Sequence, residues 1–221
     1  MKKAICTLLA ILLCAIGTTC FAEMDLGSMT LEELYALRLE INNEIAGRVK
    51  ESNDVPEGKT IAELFPDQYV ARKVRDAIGA FSTKDIVSQE KLDNAWNLDF
   101  DRNDDVASLE GIQYLHNIEY LSCFGQKSLM EIPESIGSLS KLSRISIYES
   151  PITSLPDSIC ELKQLYFLEL RETNISKLPE DIGNLSSLTY LDISYTKITS
   201  LPESIYALNL ETFVRRGLDI D

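Results

Sequence analysis

Asp99, Asp101, Asn103, Asp105 and Glu110 carry oxygen-bearing side chains at offsets 1, 3, 5, 7 and 12, the spacing with which a loop wraps a calcium ion. Such a loop turns sharply at offset 6 and needs glycine there, but that residue is Asp104. Leu98 and Phe100 alternate with the acids, so the acids read as the outward side of an extended strand that ends with Asn103 turned inward. His116, the single histidine, stands seven residues before Cys123. A nucleophile and its base must meet within hydrogen-bond reach, whereas Cys123 shares its place with Ile147, Leu170 and Ile193, all inward positions, and reads as a buried structural thiol. Glu134, Asp157, Glu180 and Glu203 recur every 23 residues, each directly after a proline. Catalytic carboxylates work as an inequivalent pair. These acids are equivalent by position, and at the start of a turn they suit its exposed N–H groups. No catalytic residue, metal or cofactor is expected.

The same period organises the chain. Ser135-Ile136-Gly137-Ser138-Leu139, Ser158-Ile159-Cys160-Glu161-Leu162, Asp181-Ile182-Gly183-Asn184-Leu185 and Ser204-Ile205-Tyr206-Ala207-Leu208 each begin 23 residues after the last. Between them runs the spacing L-x-x-L-x-L, as in Leu142, Ile145, Ile147; Leu165, Leu168, Leu170; and Leu188, Leu191, Ile193. Residues two apart share one face of a strand, so each repeat supplies one short parallel strand with its apolar pair turned inward. Ile152, Ile175 and Ile198 point inward after the strand, and Leu155, Leu178 and Leu201 close each coil. Upstream the pattern loosens, with Ile118, Leu121 and Cys123 matching the trio and an insertion near Gln126 to Ser128. This makes five strands, with a sixth at Leu210 to Val214.

The outward strand positions are not dictated by a core. They are Tyr120, Ser122, Phe124; Arg144, Ser146, Tyr148; Phe167, Glu169, Arg171; and Tyr190, Asp192, Ser194, of which five of twelve are aromatic. Tyr166 and Tyr195 flank the same face. Aromatics beside arginines are the residues that dominate interface hot spots. The expected ligand-binding set is Tyr120, Phe124, Arg144, Tyr148, Phe167, Glu169, Arg171, Tyr190 and Asp192.

The phrase Leu-Pro-x-x-Ile-Gly-x-Leu, as in Leu178 to Leu185, resembles the 23-residue class of leucine-rich repeat. The resemblance implies an α/β solenoid, a right-handed coil with a short parallel sheet on its concave face. The family's asparagine ladder is replaced here by Ser150, Thr173 and Thr196, whose hydroxyls can still bond the turn backbone. Residues 60–95, with Phe65-Pro66-Asp67 and then Val70, Ala71, Val74 and Ile78 at helical spacing, resemble the helical cap of secreted internalin-like bacterial proteins. Ile86 and Leu92 lead into the first strand, and Ser108 to Leu115 is similar to that family's first full coil. A solenoid needs such a cap to hide its terminal coil.

Lys2 and Lys3, the apolar run Ala4 to Ile16 and the small residues around Cys20-Phe21-Ala22 form the three regions of a secretory signal, expected over 1–22. The run is shorter than the ~20 residues of a membrane span, and no membrane insertion is expected after cleavage. Gly17 stands where a lipoprotein signal wants an apolar residue. Residues 23–59 are expected to hold an amphipathic helix and a linker: Thr30 and Glu33 make a capping box, Leu34, Leu37, Ile41 and Ile45 a stripe expected to pack on the cap, a dimerising or partner-binding helix being the alternative, and Pro56 and Gly58 mark the linker. The repeats occupy 96–221.

Lys+Arg 21 against Asp+Glu 35 gives −14, and removal of Lys2 and Lys3 leaves 19 against 35, or −16. That charge repels nucleic acid. Cleavage also leaves only Cys123 and Cys160, whose places on opposite sides of the coil argue against a disulfide. The expected function is a secreted or envelope-located, non-enzymatic recognition module binding a protein or peptide on its concave aromatic face. A glycan ligand and a structural spacer of the cell surface are the alternatives. No wall-sorting motif is found near the C-terminus to support the spacer.

Overall fold

The computed structural model describes Thr30 and residues 54–218. The chain divides into two units, Met1–Ser52 and Asn53–Asp221, and the described residues fall, Thr30 apart, in the second. The signal expected over 1–22 and, Thr30 apart, the amphipathic helix lie outside the described residues.

The second unit begins with three short helices, α1 (Ile61–Leu64), α2 (Gln68–Ala77) and α3 (Gln89–Leu92). Each local start is written in the sequence. Thr60 accepts the Glu63 N–H at 3.3 Å while the Glu63 carboxylate accepts the Thr60 N–H at 2.9 Å, a reciprocal cap on α1. Asp67 caps α2, its Oδ1 accepting from Tyr69 N at 2.9 Å and Val70 N at 3.3 Å. α2 buries Val70, Ala71 and Val74 along one face. Leu92 is buried as well, but Ile86 is 64% exposed and Val87 takes the inward place beside it.

Six parallel strands follow in sequential order: β1 (Asn97–Phe100), β2 (Tyr120–Phe124), β3 (Arg144–Tyr148), β4 (Phe167–Glu169), β5 (Tyr190–Asp192) and β6 (Thr212–Val214). Register aligns Leu98, Leu121, Ile145, Leu168, Leu191 and Phe213 into one inward column. Phe100, Cys123, Ile147, Leu170 and Ile193 form the next, and all five are fully buried. Each aliphatic or aromatic member contributes about 1.5–3 kcal/mol by leaving water. Two residues after Phe213 the inward place falls to Arg215, which is exposed with its guanidinium 6.0 Å from the Phe213 ring centroid. A charged residue thus tops the last apolar layer.

The return path of the coil is a 3-10 turn. Four of them start at a Leu/Ile-Pro step, where the carbonyls of Pro133, Pro156, Pro179 and Pro202 accept from Ile136, Ile159, Ile182 and Ile205 at 3.0–3.2 Å. Proline's missing N–H is no loss at the start of a turn, and its fixed φ suits it.

The ladder inside the coil departs from expectation in its first half. Thr173 and Thr196 donate their hydroxyls to Leu170 O at 2.8 Å and Ile193 O at 2.9 Å, and Ser150 reaches Tyr148 O at 3.4 Å. One coil earlier the equivalent residue is Gln126, fully buried. Its Oε1 accepts from Val106 N at 2.8 Å and its Nε2 donates to Asp101 O at 2.7 Å and Phe124 O at 2.8 Å. In the first coil Asn103, expected to turn inward, is exposed, and its neighbour Asp104 is 3% exposed instead. The reason lies in the cap: α2 brings Arg72 and Lys73 against the Asp104 carboxylate, Lys73 at 3.2 Å, and the charge is drawn inward to meet them. Asp67 makes a second tie, its Oδ2 accepting from Ala107 N at 2.8 Å and Ser108 N at 3.3 Å.

Candidate functional site

The outward residues of the strands form three columns across the sheet. Register places Tyr120, Arg144, Phe167 and Tyr190 side by side in the first. Asp99, Ser122, Ser146, Glu169 and Asp192 fill the middle. Phe124 faces Tyr148 in the third, with Arg171 next along.

The outer columns are continuous stacks. Phe167 and Tyr190 lie 4.2 Å apart between ring centroids with planes 6° from parallel, and Arg144 covers the other side of Phe167 at 3.9 Å. The same guanidinium lies 5.5 Å from the Tyr120 centroid. In the third column Phe124 and Tyr148 stack at 4.4 Å, with Arg102 over Phe124 at 4.5 Å and Arg171 over Tyr148 at 5.3 Å. Strand spacing of ~4.8 Å is close to the thickness of a stacked ring pair, so a row of planar groups on neighbouring parallel strands packs face to face.

This arrangement corrects the expectation of an open aromatic surface. The rings spend their faces on each other and on arginines, leaving edges and tips toward solvent. All of Tyr120, Phe124, Arg144, Tyr148, Phe167, Glu169, Arg171 and Tyr190 are half-buried rather than exposed. Ser122, Ser146, Asp192 and Ser194, expected outward, are buried at 1–6% exposure, the first three between larger side chains of the outer columns and Ser194 under the Arg216 N–H at 3.0 Å. Phe167 and Tyr190 therefore have contacts to lose, although no core dictates their positions.

In the middle column Ser146 donates its hydroxyl to the Glu169 carboxylate, and Asp192 Oδ1 accepts from Ser194 N at 2.8 Å. Burial, reinforced by Glu169, pushes the Tyr148 phenol above its usual range, and burial together with Asp192 and Glu169 does the same to Tyr190. Both phenols stay protonated and can donate.

Two rim positions widen the face. Trp96 and Tyr166 occupy equivalent places just before β1 and β4, each offering its carbonyl to the start of the next strand, and they are 60% and 45% exposed. Trp96 is absent from the expected set, although it precedes Leu98 by the same two residues as Tyr166 precedes Leu168. On the opposite rim Tyr195 is 55% exposed and holds a positive φ of 56°, as Glu149 and Glu172 do in their own coils at 53° and 57°.

The other chemistry-bearing residues stand apart from this face. Cys123 is wholly buried and desolvation pushes its thiol far up, while Cys160 is raised to about 12 by burial and the nearby Asp157. Neither forms a disulfide. His116 Nδ1 lies 3.7 Å from Asp93 Oδ1. Of the acidic loop at 99–110, Asp101 accepts the Asn103 N–H at 2.8 Å, which holds its carboxyl below the usual range, and Asp104 belongs to the cap contact.

With the geometry in place, comparison with known proteins agrees at both ends. A model of the leucine-rich repeat region matches residues 164–213, and a model of the bacterial adhesion/invasion protein N terminal matches residues 49–93. The chain is thus similar to internalin-like bacterial leucine-rich-repeat proteins. A solved leucine-rich-repeat protein of Leptospira interrogans is 23% identical with a TM-score of 0.54, covering 59% of this chain and 39% of that one. The functional domain of InlJ from Listeria monocytogenes, which includes a cysteine ladder, is 20% identical with a TM-score of 0.54, covering 66% of this chain and 31% of that one. At these identities the likeness is one of fold, a leucine-rich-repeat solenoid with a helical N-terminal cap. The chain spans less than two fifths of the length of either relative. No curated protein matches significantly.

Proposed function

We propose that this internalin-like solenoid is a secreted, non-enzymatic recognition module that binds a protein or peptide on the concave strand face. The observation that carries the reading is the stacking itself. Rings clamped between neighbours present edges, phenol hydroxyls and guanidinium N–H groups at fixed positions, with carboxylates between them, so little side-chain entropy is left to lose on binding. Rigid tyrosines and arginines of this kind are what protein interfaces use as anchors.

The same stacking favours a polypeptide over a glycan, because sugar rings pack on open aromatic faces and the faces of Phe124, Tyr148 and Phe167 are occupied on both sides. A non-enzymatic role is supported by the high thiol pKa values and by a face whose acids and phenols are built into a repeat. Export is supported by the 1–22 pattern and by the adhesion/invasion match over 49–93.

The test is selection from a displayed library of random peptides, comparing the wild type with two variants. Tyr148→Phe/Tyr190→Phe/Arg171→Gln removes donors from the strand face while keeping its rings, and Glu180→Gln/Glu203→Gln changes the opposite side. The strand-face variant is expected to lose capture at least tenfold and the other to keep it. Equal capture by both variants would refute the reading.

A further inference from the structure

Arg144 stands out among the groups of the strand face. Its guanidinium lies between the Phe167 ring at 3.9 Å and the Tyr120 ring at 5.5 Å, so both faces of the plane are covered by aromatic carbon. Its Nε is buried and has no hydrogen-bond partner. Among the described residues its side chain makes no ion pair, whereas Arg72, Arg75 and Arg102 each meet a carboxylate. Arg171 repeats part of the pattern one strand on and at the other side of the face, with one ring rather than two against its plane. Its plane lies 5.3 Å from the Tyr148 centroid, its Nε is also buried without a hydrogen bond, and the nearest carboxylate oxygen, of Glu172, is 3.7 Å away.

An arginine plane that is closed above and below can take a partner only in its own plane, along the N–H edge. The acceptor that fits this edge is a carboxylate, whose two oxygens match two parallel N–H groups. Among the described residues no acid forms an ion pair with Arg144, and Glu172 stands 3.7 Å from Arg171 Nε, beyond hydrogen-bond reach. Glu169, the nearest in the middle column, accepts from Ser146, and Asp192 accepts from Ser194 N. A buried donor without a partner costs about 1–3 kcal/mol. The fold bears this cost at two places on one face, eased at Arg171 by the Glu172 carboxylate 3.7 Å away.

From this we infer that the polypeptide ligand carries acidic groups, one seated against Arg144 and a second against Arg171. The inference rests on the concave-face reading above and adds the chemistry of the ligand. The two arginines stand at opposite ends of adjacent strands, four residues out of step by register, which is about 13 Å along the strand direction at 3.3 Å per residue. An extended ligand lying along the strands would match them with carboxylates four residues apart. A planar monoanion suits the site better than a phosphate, because Glu169 and Asp192 lie in the column between and add repulsion with each further negative charge.

The acidic group has two sources, an Asp or Glu side chain and a free C-terminal carboxylate. One experiment separates them. The wild type is used to select from a peptide library displayed with free C-termini and from the same library amidated. Selected peptides are then resynthesised with each Asp or Glu replaced by Asn or Gln, and binding is measured again, to Arg144→Gln as well. Side-chain recognition predicts selection in both libraries, enrichment of acidic residues at a spacing of four, and at least tenfold weaker binding of the amide-substituted peptides. Recognition of a C-terminus predicts selection only from the free-ended library. Either result supports a carboxylate on the arginines, provided that Arg144→Gln weakens the parent peptide and not its neutral analogue. If Arg144→Gln fails to fold, the wild-type comparison of acidic and neutral peptides still decides. Peptides that bind on the strand face without acidic preference would overturn the acidic-ligand inference while leaving the concave-face reading intact. Binding indifferent to every strand-face substitution would overturn both.

Discussion

Phe167 and Tyr190 lie face to face on adjacent strands, ring centroids 4.2 Å apart and planes 6° from parallel. Because Arg144 closes the far side of Phe167 at 3.9 Å, that ring belongs to a stack and carries stability as well as recognition. Phe167→Ala is expected to cost about 1–3.5 kcal/mol, from a stacked pair worth about 0.5–1.5 and a cation–π contact worth about 0.5–2. Urea denaturation checks it, with a double-mutant cycle against Tyr190→Ala giving a coupling of about 0.5–1.5 kcal/mol. A coupling of zero would mean that the stack contributes nothing in solution.

Legibility in the sequence ends at this stack. The 23-residue period, the inward columns and the Pro-initiated turns are readable because one repeat predicts the next. Alternation also assigns Ser122, Ser146 and Asp192 to the outward side correctly, yet it cannot say that larger side chains on the neighbouring columns bury them. Burial of an outward residue depends on its cross-strand neighbours, and no periodicity encodes their rotamers. The burial of Asp104 is illegible for a related reason. Its partners Arg72 and Lys73 lie some thirty residues upstream on α2, and only the packed cap brings them to it.

Gln126 is the most heavily bonded buried side chain of the ladder, holding Val106 N, Asp101 O and Phe124 O at 2.7–2.8 Å. Gln126→Met keeps the volume but strips three backbone groups of their partner. At about 1–3 kcal/mol for a buried unsatisfied group, partly relieved by relaxation, a loss of about 2–5 kcal/mol is expected. Thr173→Val removes a single bond, to Leu170 O at 2.8 Å, and should cost only about 1 kcal/mol. Thermal or urea unfolding of the two variants side by side is the measurement. Equal costs would refute the ladder assignment.

The acid limb of stability has a defined direction. Glu63 is lowered from 4.5 to about 2, chiefly by the Thr60 backbone N–H, then by the Thr60 hydroxyl and Lys59. A depressed carboxyl stabilises the folded form fully above its unfolded value, and the contribution fades as pH falls through the folded one. The α1 cap should therefore loosen between about pH 4.5 and 2. Carboxyl-carbon NMR titration of Glu63 would follow it, and Thr60→Val should move the midpoint upward. At the alkaline end the raised phenols of Tyr148 and Tyr190 act with the opposite sign, stabilising below their ordinary value of 10 and losing that contribution as pH rises past it. An ultraviolet phenol titration in which every tyrosine ionises at its ordinary value would contradict the packing of the strand face.

The most direct test of the central claim asks which side of the coil touches the partner. A photo-crosslinking amino acid is placed at Tyr166 or Tyr195, the exposed rims of the strand face, or at Tyr206, 78% exposed in the 3-10 turn Glu203–Ala207 on the return path of the coil. Each labelled protein is irradiated with the peptide recovered from the library. Adducts from Tyr166 and Tyr195, and none from Tyr206, are the predicted result. An adduct from Tyr206 alone would place recognition on the return side of the solenoid and contradict the account.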